Sequence, residues 1–182
     1  MYNTALVQHN IEKFQLQGYK PSDVTLFFDL DNTLCLFSYF GTETLSMQSM
    51  YSKGFYRSLP CFPEAPPVLK QLQQIGYNVC ILSSCIDSPY CKKEKLEWVH
   101  HYLPFIRDSH IKLVEVGEDK SKYIMHPSKA ILVDDYYKNL EDIYNSGGVG
   151  IKKTYSGKSR VIPQVNSLED IFNVLKYLNC WR

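Results

Sequence analysis

Val24–Phe28 is a largely apolar run that reads as a buried strand, yet it opens directly onto Asp29-Leu30-Asp31-Asn32-Thr33. A buried strand has no structural reason to end in paired carboxylates. Two neighbouring negative charges repel each other and lose hydration unless a cation or a reaction uses them. A divalent metal is the natural partner for such a pair, and this requirement constrains the fold that carries it.

The rest of the chain alternates strand-length apolar runs with stretches of helical period, the pattern of an α/β domain with a mostly parallel, Rossmann-like sheet flanked by helices. The predicted strands are Val24–Phe28, Asn78–Leu82, Ile111–Val114, Ala130–Val133 and Val149–Ile151. Helices are expected over Ala65–Ile75, stopped by Gly76, and over Tyr90–Tyr102, Leu140–Tyr144 and Ser167–Leu178, the last with Ser167 as N-cap and Asp170 at the third helical position. An amphipathic helix is read from Ala5 to Leu16. The domain plan is an N-terminal helix within residues 1–20 packed on the domain, a core of residues 21–35 and 61–182, and an insertion of residues 36–60. That insertion is rich in Phe, Tyr and Met and too long for a simple βα loop. It is either a small helical cap over the carboxyl ends of the strands or a surface excursion packed by its own aromatics.

Three further strand ends repeat the opening pattern. Ile81-Leu82 runs into Ser83-Ser84, a pair of hydroxyls suited to a phosphate, and Ile131-Leu132-Val133 runs into Asp134-Asp135, a second acidic pair. Between them, Glu118-Asp119-Lys120 follows the Ile111–Val114 strand and offers a cation. Each has an ordinary structural explanation taken singly. Consecutive parallel strands deliver their carboxyl ends to one edge of a sheet, however, so acid, hydroxyl, cation and acid would converge. That is a combination suited to phosphoryl transfer.

Composition narrows the partners. A chain of 182 residues with 45% apolar and 21% charged residues and a formal charge of +1 gives no case for a nucleic-acid polymer as ligand. The six cysteines form no CxxC pair and read as reduced thiols. The N-terminus, with His9, Glu12 and Lys13 among its apolar positions, has no signal-peptide pattern, and no run approaches a membrane span. The expectation is a cytoplasmic protein without a membrane partner, with self-association into a homodimer left open.

The order of these motifs resembles the haloacid dehalogenase-like phosphohydrolases, with their DxDx[TV] segment followed by a hydroxyl, a lysine and a late acidic pair. Gly54-Phe55-Tyr56-Arg57-Ser58-Leu59-Pro60 and the following Phe62-Pro63-Glu64-Ala65 are similar to the GFF-x-x-L-x-P-x-PGA segment of the 5'(3')-deoxyribonucleotidases. Cys91–Val99 resembles that family's EKY-x-WV helix, and Glu118–Ser121 its RDKT segment. The similarity runs in order from about Val24 to Leu140.

The resemblance implies a phosphomonoesterase acting on nucleoside monophosphates. Asp29 would be the nucleophile that forms an aspartyl-phosphate, and Asp31 the acid and then the base. Mg²⁺ would be held by Asp29, the backbone carbonyl of Asp31 and Asp134, with Asp135 behind them or as a further contact. Ser83, Ser84, Lys95 and Lys120 would stabilise the phosphoryl oxygens. The chain departs from the family pattern at Glu118, an acid in place of arginine, at Cys85, and at Ala65-Pro66. Two alternatives stand beside this reading: a phosphatase of another small metabolite, or a nucleotide-binding module of low turnover, which Glu118 favours.

Phe37, Tyr39, Phe55 and Tyr56 are the candidates for an aromatic slot over a nucleobase. Trp98 is expected in the core, and His100-His101 and His126 are read as structural or loop residues rather than ligands.

Overall fold

The computed structural model describes residues 3–37, 47–155 and 162–181. Its strands are β1 (Thr25–Phe28), β2 (Asn78–Cys85), β3 (Ile111–Glu115), β4 (Ala130–Asp134), β5 (Val149–Lys153) and β6 (Gln164–Val165). Its α-helices are α1 (Thr4–Gln17), α2 (Ala65–Ile75), α3 (Cys91–Tyr102), α4 (Tyr137–Asn145) and α5 (Ile171–Tyr177). The strands form one sheet in the order β3-β2-β1-β4-β5-β6, every pairing parallel. The chain steps outward from β1 to β3, then crosses back to β4 on the other side of β1. The order therefore reverses beside β1, and the crevice outside the carboxyl ends at that point is where ligands bind in such sheets.

β1 and β4 are central and buried, which explains their apolar composition. The ladder continues past β1, since the Asp29 N–H donates to the Val133 carbonyl at 3.0 Å. This bond fixes the first acid of the motif at the sheet edge beside β4. β2 runs through Ser83 and Ser84 to Cys85, so both serines lie in the strand itself and not in the loop beyond Leu82.

The helices follow from local chemistry. α2 buries Ala65, Val68, Leu69 and Leu72 and stops where Gly76 takes φ +112°, its N–H reaching the Leu72 and Gln73 carbonyls. α1 buries Val7, Ile11 and Phe14 and packs on α4 and β5, with the buried Asn10 amide donating to the Tyr144 and Gly148 carbonyls at 2.8 and 3.0 Å. Ser167 and Asp170 form the expected reciprocal cap, but the residues behind it make a 3₁₀ turn, Leu168–Asp170, before α5 begins. The described part of the 36–60 stretch holds 3₁₀ turns at Met47–Tyr51 and Tyr56–Ser58.

Gly148, at the turn from α4 into β5, shows how closely these layers approach. A Cβ there would lie 2.8 Å from Ile143 Cδ1 and Cγ1 and from the Pro127 carbonyl oxygen. Gly148→Ala is expected to lower the unfolding free energy by about 1–3 kcal/mol in a urea titration; an unchanged midpoint would show that the turn can shift at no cost.

Candidate active site

Asp29 leaves β1 only 5% exposed. Its Oδ1 accepts from Lys120 Nζ at 2.8 Å, and the same ammonium bonds Asp134 Oδ2 at 2.7 Å. Lys120 is itself 1% exposed and comes from the 3₁₀ turn Lys120–Tyr123, which Asp119 caps. Burial alone would lower the Lys120 value, but Asp29 and Asp134 more than offset this and hold it at about 12. Asp134 is further fixed by the Tyr136 N–H and the Asn139 amide, both at 2.8 Å. Burial pushes the Asp134 carboxyl up to about 6 against the pull of Lys120.

Asp31 meets the other buried lysine. Lys95 Nζ, reaching in from α3, donates to Asp31 Oδ2 at 2.6 Å, to Ser83 Oγ at 3.1 Å and to the Ser84 carbonyl at 2.6 Å, so all of its protons are engaged. Asp31 Oδ1 is buried and makes no hydrogen bond among the described residues. Its carboxyl is raised, by burial first and then by Asp29, with Lys95 opposing. The two acids of the motif therefore occupy different environments, as division of labour between a nucleophile and a proton carrier demands.

The turn that follows them is held from outside. Asn32 adopts φ +54°, its carbonyl accepts from Tyr155 Oη at 2.7 Å, and its Oδ1 accepts from the Phe37 N–H at 3.1 Å. Nothing in the sequence pattern singled out Asn32 or Tyr155, because 123 residues separate them. Asn139 was missed as well; its signal is an amide one turn into the helix that follows the late acidic pair.

Carboxylate oxygens of Asp29, Asp134 and Asp135 all lie within 4.8 Å of one another. Burial, Asp29 and Asp134 together raise Asp135 to about 7. A set of oxygen donors that push one another's pKa values upward suits a hard divalent cation such as magnesium. Over the acids opens a cavity of about 340 Å³, reached by Asp29, Asp31, Ser84, Lys120, Tyr136 and Asn139. Glu118 also lines it, but its Oε2 accepts from Tyr123 Oη at 2.5 Å and the Glu115 N–H at 3.1 Å, so it is engaged in its own turn.

The aromatic candidates form one cluster beside Lys95. Phe37 and Phe55 meet edge to face at 5.8 Å, Phe55 and Tyr56 at 4.9 Å, and Lys95 Nζ sits 5.3 Å from the Tyr56 ring centre. Tyr56 is 2% exposed and backs the lysine, whereas Phe37 and Phe55 are half-buried. Tyr39 lies outside the described residues. Trp98 is buried, as expected of a core residue, and His100 pairs with Asp108 at 2.8 Å on the surface.

Fold and site together define a haloacid dehalogenase-like phosphohydrolase. Among solved structures, a D,D-heptose 1,7-bisphosphate phosphatase from B. bronchiseptica, complexed with magnesium and phosphate, superposes with a TM-score of 0.60 at 11% identity, over 84% of this chain and 98% of that one. A haloacid dehalogenase-like hydrolase from Xanthomonas campestris gives 0.59 at 10% identity, over 86% and 96%. Residues 41–175 match the family described as 5' nucleotidase, deoxy (pyrimidine), cytosolic type C protein. Two Staphylococcus epidermidis proteins assigned as 5'(3')-deoxyribonucleotidases are 35% and 28% identical over 131 residues, 72% of this chain and 68% of each relative. The chain belongs to this 5'-nucleotidase family and is a hydrolase of the phosphatase class.

A carboxyl raised above its unfolded value stabilises the fold below that unfolded value, and the gain is lost as pH rises through the folded one. The cation-free protein should therefore lose stability as Asp134 and Asp135 ionise, from about pH 4 up through about 6 and about 7. Magnesium is expected to raise Tm more near pH 8 than near pH 5.5, because protons hold the same oxygens at the lower pH. Thermal melts with and without the metal check this; an equal shift at both values would contradict it.

Proposed function

We propose that this chain is a magnesium-dependent phosphomonoesterase that hydrolyses nucleoside monophosphates, deoxynucleotides included, through an aspartyl-phosphate on Asp29. The observation that carries this reading is the pairing of buried Asp29 and part-buried Asp31 with two buried lysines at a single sheet edge: Asp29 with Lys120, and Asp31 with Lys95. A carboxylate attacks phosphorus only when cationic donors offset the negative charge it approaches. Asp29 Oδ would bond to phosphorus as the bond to the ester oxygen breaks. Asp31 would give its proton to that leaving oxygen and then take one from the water that cleaves the acyl phosphate, returning the site to its starting state. The raised Asp31 carboxyl suits the first of these steps.

Lys120, Ser84 and, through Ser83, Lys95 are assigned to the phosphoryl oxygens, where charge spreads in the transition state. Magnesium would be held by Asp29, Asp134 and the Asp31 carbonyl, with Asp135 as a further ligand or support, and when bound would neutralise the approaching charges. Residues 36–60 are assigned as the cap over the core of 21–35 and 61–182, with Phe37 and Phe55 facing the nucleobase. The free state of all six cysteines fits a cytoplasmic setting, which we assign to the protein. Among the described residues no helix is long and apolar enough to cross a membrane.

Glu118 and Asp142 line the cavity and would repel a second anionic group, so a monophosphate is expected in either case; the second reading is a different small phosphomonoester as substrate. A panel of ribo- and deoxyribonucleoside monophosphates and sugar phosphates, assayed for phosphate release with magnesium and with EDTA, separates the two. Nucleotides are expected to be preferred, release should cease in EDTA, and Asp29→Asn should be inactive. Sugar phosphates turned over in preference would move the substrate, and release by Asp29→Asn equal to wild type would overturn the mechanism. Lys120→Met is expected to lower kcat by about 10²–10³-fold, measured on the best substrate of the panel.

A further inference from the structure

A carboxylate in a protein interior needs either a cation or several hydrogen-bond donors to replace its lost hydration. Glu94 is 4% exposed and has the second kind of support. Its Oε1 accepts from the Gly54 N–H at 2.5 Å and its Oε2 from the Tyr56 N–H at 3.1 Å, across 40 and 38 residues of sequence. Nothing in the proposed chemistry uses it. Gly54, at φ +92°, turns the chain so that both amides face the same carboxylate. One helical turn further along α3, Trp98 Nε1 donates to the Leu59 carbonyl at 2.8 Å. Two buried side chains of α3 thus grip the segment from Gly54 to Leu59.

The residue next to Glu94 is Lys95, which faces the opposite partner, Asp31. Tyr56, whose backbone Glu94 holds, lays its ring against the Lys95 ammonium and supports Phe55 and Phe37. One turn of α3 therefore sets both the cation beside the acids and the aromatic cluster packed against that cation.

We propose that Glu94 is a positioning residue for substrate selectivity: its two bonds to backbone N–H groups fix the Gly54–Leu59 segment, so that Phe55 and Phe37 are held against the organic group of the phosphomonoester. This rests on the phosphomonoesterase reading of the site. It predicts that the lock acts on substrate binding and leaves the phosphoryl site alone.

The test is Glu94→Gln, which keeps the shape but replaces one acceptor by an amide NH₂ facing an N–H. A segment freed from this lock must be ordered again when substrate binds, so KM for the preferred nucleotide should rise about tenfold or more, with kcat changing by less than about threefold. Inhibition by inorganic phosphate, which reads the phosphoryl site alone, should be unchanged. Hydrogen exchange at the Gly54 and Tyr56 amides should be faster in the variant. Trp98→Phe, which loosens the same segment without touching a charge, should give the same split, so a Glu94→Gln protein that fails to fold leaves the proposal testable. Parallel losses in kcat, KM and phosphate inhibition would reduce Glu94 to a stability role, and unchanged exchange with unchanged KM would remove it from the site; either overturns the proposal. If wild type releases no phosphate from nucleotides, it is the substrate assignment that fails, and the same split is then read on whichever phosphomonoester the panel identifies. Phe55→Ala that leaves that KM unchanged would also overturn the proposal.

Discussion

The structure depends on the neutralisation of buried charge at one end of β1. Asp29 and Asp134 are withdrawn from water at the sheet edge, Asp31 partly so, and two lysines exposed by no more than 2% are withdrawn with them. Desolvating each such ion costs several kcal/mol, and well-packed apolar residues would serve stability as well or better. The arrangement is therefore one that function requires of the fold. It dictates why β1 and β4 must be adjacent, why β2 must carry its hydroxyls to the same edge, and why the loop after β3 must turn Lys120 inward. Removing either lysine would strand carboxylates in the interior, so the acids and cations are interdependent.

α3 gives this charge network its reach. It carries Lys95 to the acids, while Glu94 and Trp98 hold the Gly54–Leu59 segment that precedes α2. A single rigid element thus spans two regions that sequence places far apart. In the proposed function, selectivity and chemistry are served by neighbouring residues of one helix.

Much of the frame was legible in the sequence. Ala65–Ile75 coincides with α2 because apolar spacing and a terminal glycine define it locally. The predicted strands fall within or next to the observed ones because central parallel strands read as short apolar runs. The two-residue β6 was missed, being too short for a pattern, and the 3₁₀ turn before α5 was hidden behind an ordinary helix cap. The acids and Lys120 were visible as types at or just after strand ends and Lys95 only through the family resemblance, yet their pairing was not: which lysine meets which acid depends on crossovers that bring residues 64 and 91 positions apart into contact. Glu94 and Tyr155 act on backbone groups of distant segments, and backbone donors and acceptors leave no trace in residue identity.

The central claim is that Asp29, rather than any of its three acidic neighbours, forms the bond to phosphorus. Borohydride reduces an acyl phosphate to the alcohol and leaves free carboxylates untouched, so quenching steady-state turnover with it and mapping the peptides identifies the residue. Homoserine at position 29, dependent on substrate and magnesium, is the expected result. Homoserine at 31, 134 or 135 instead, or none while phosphate is being released, would contradict it.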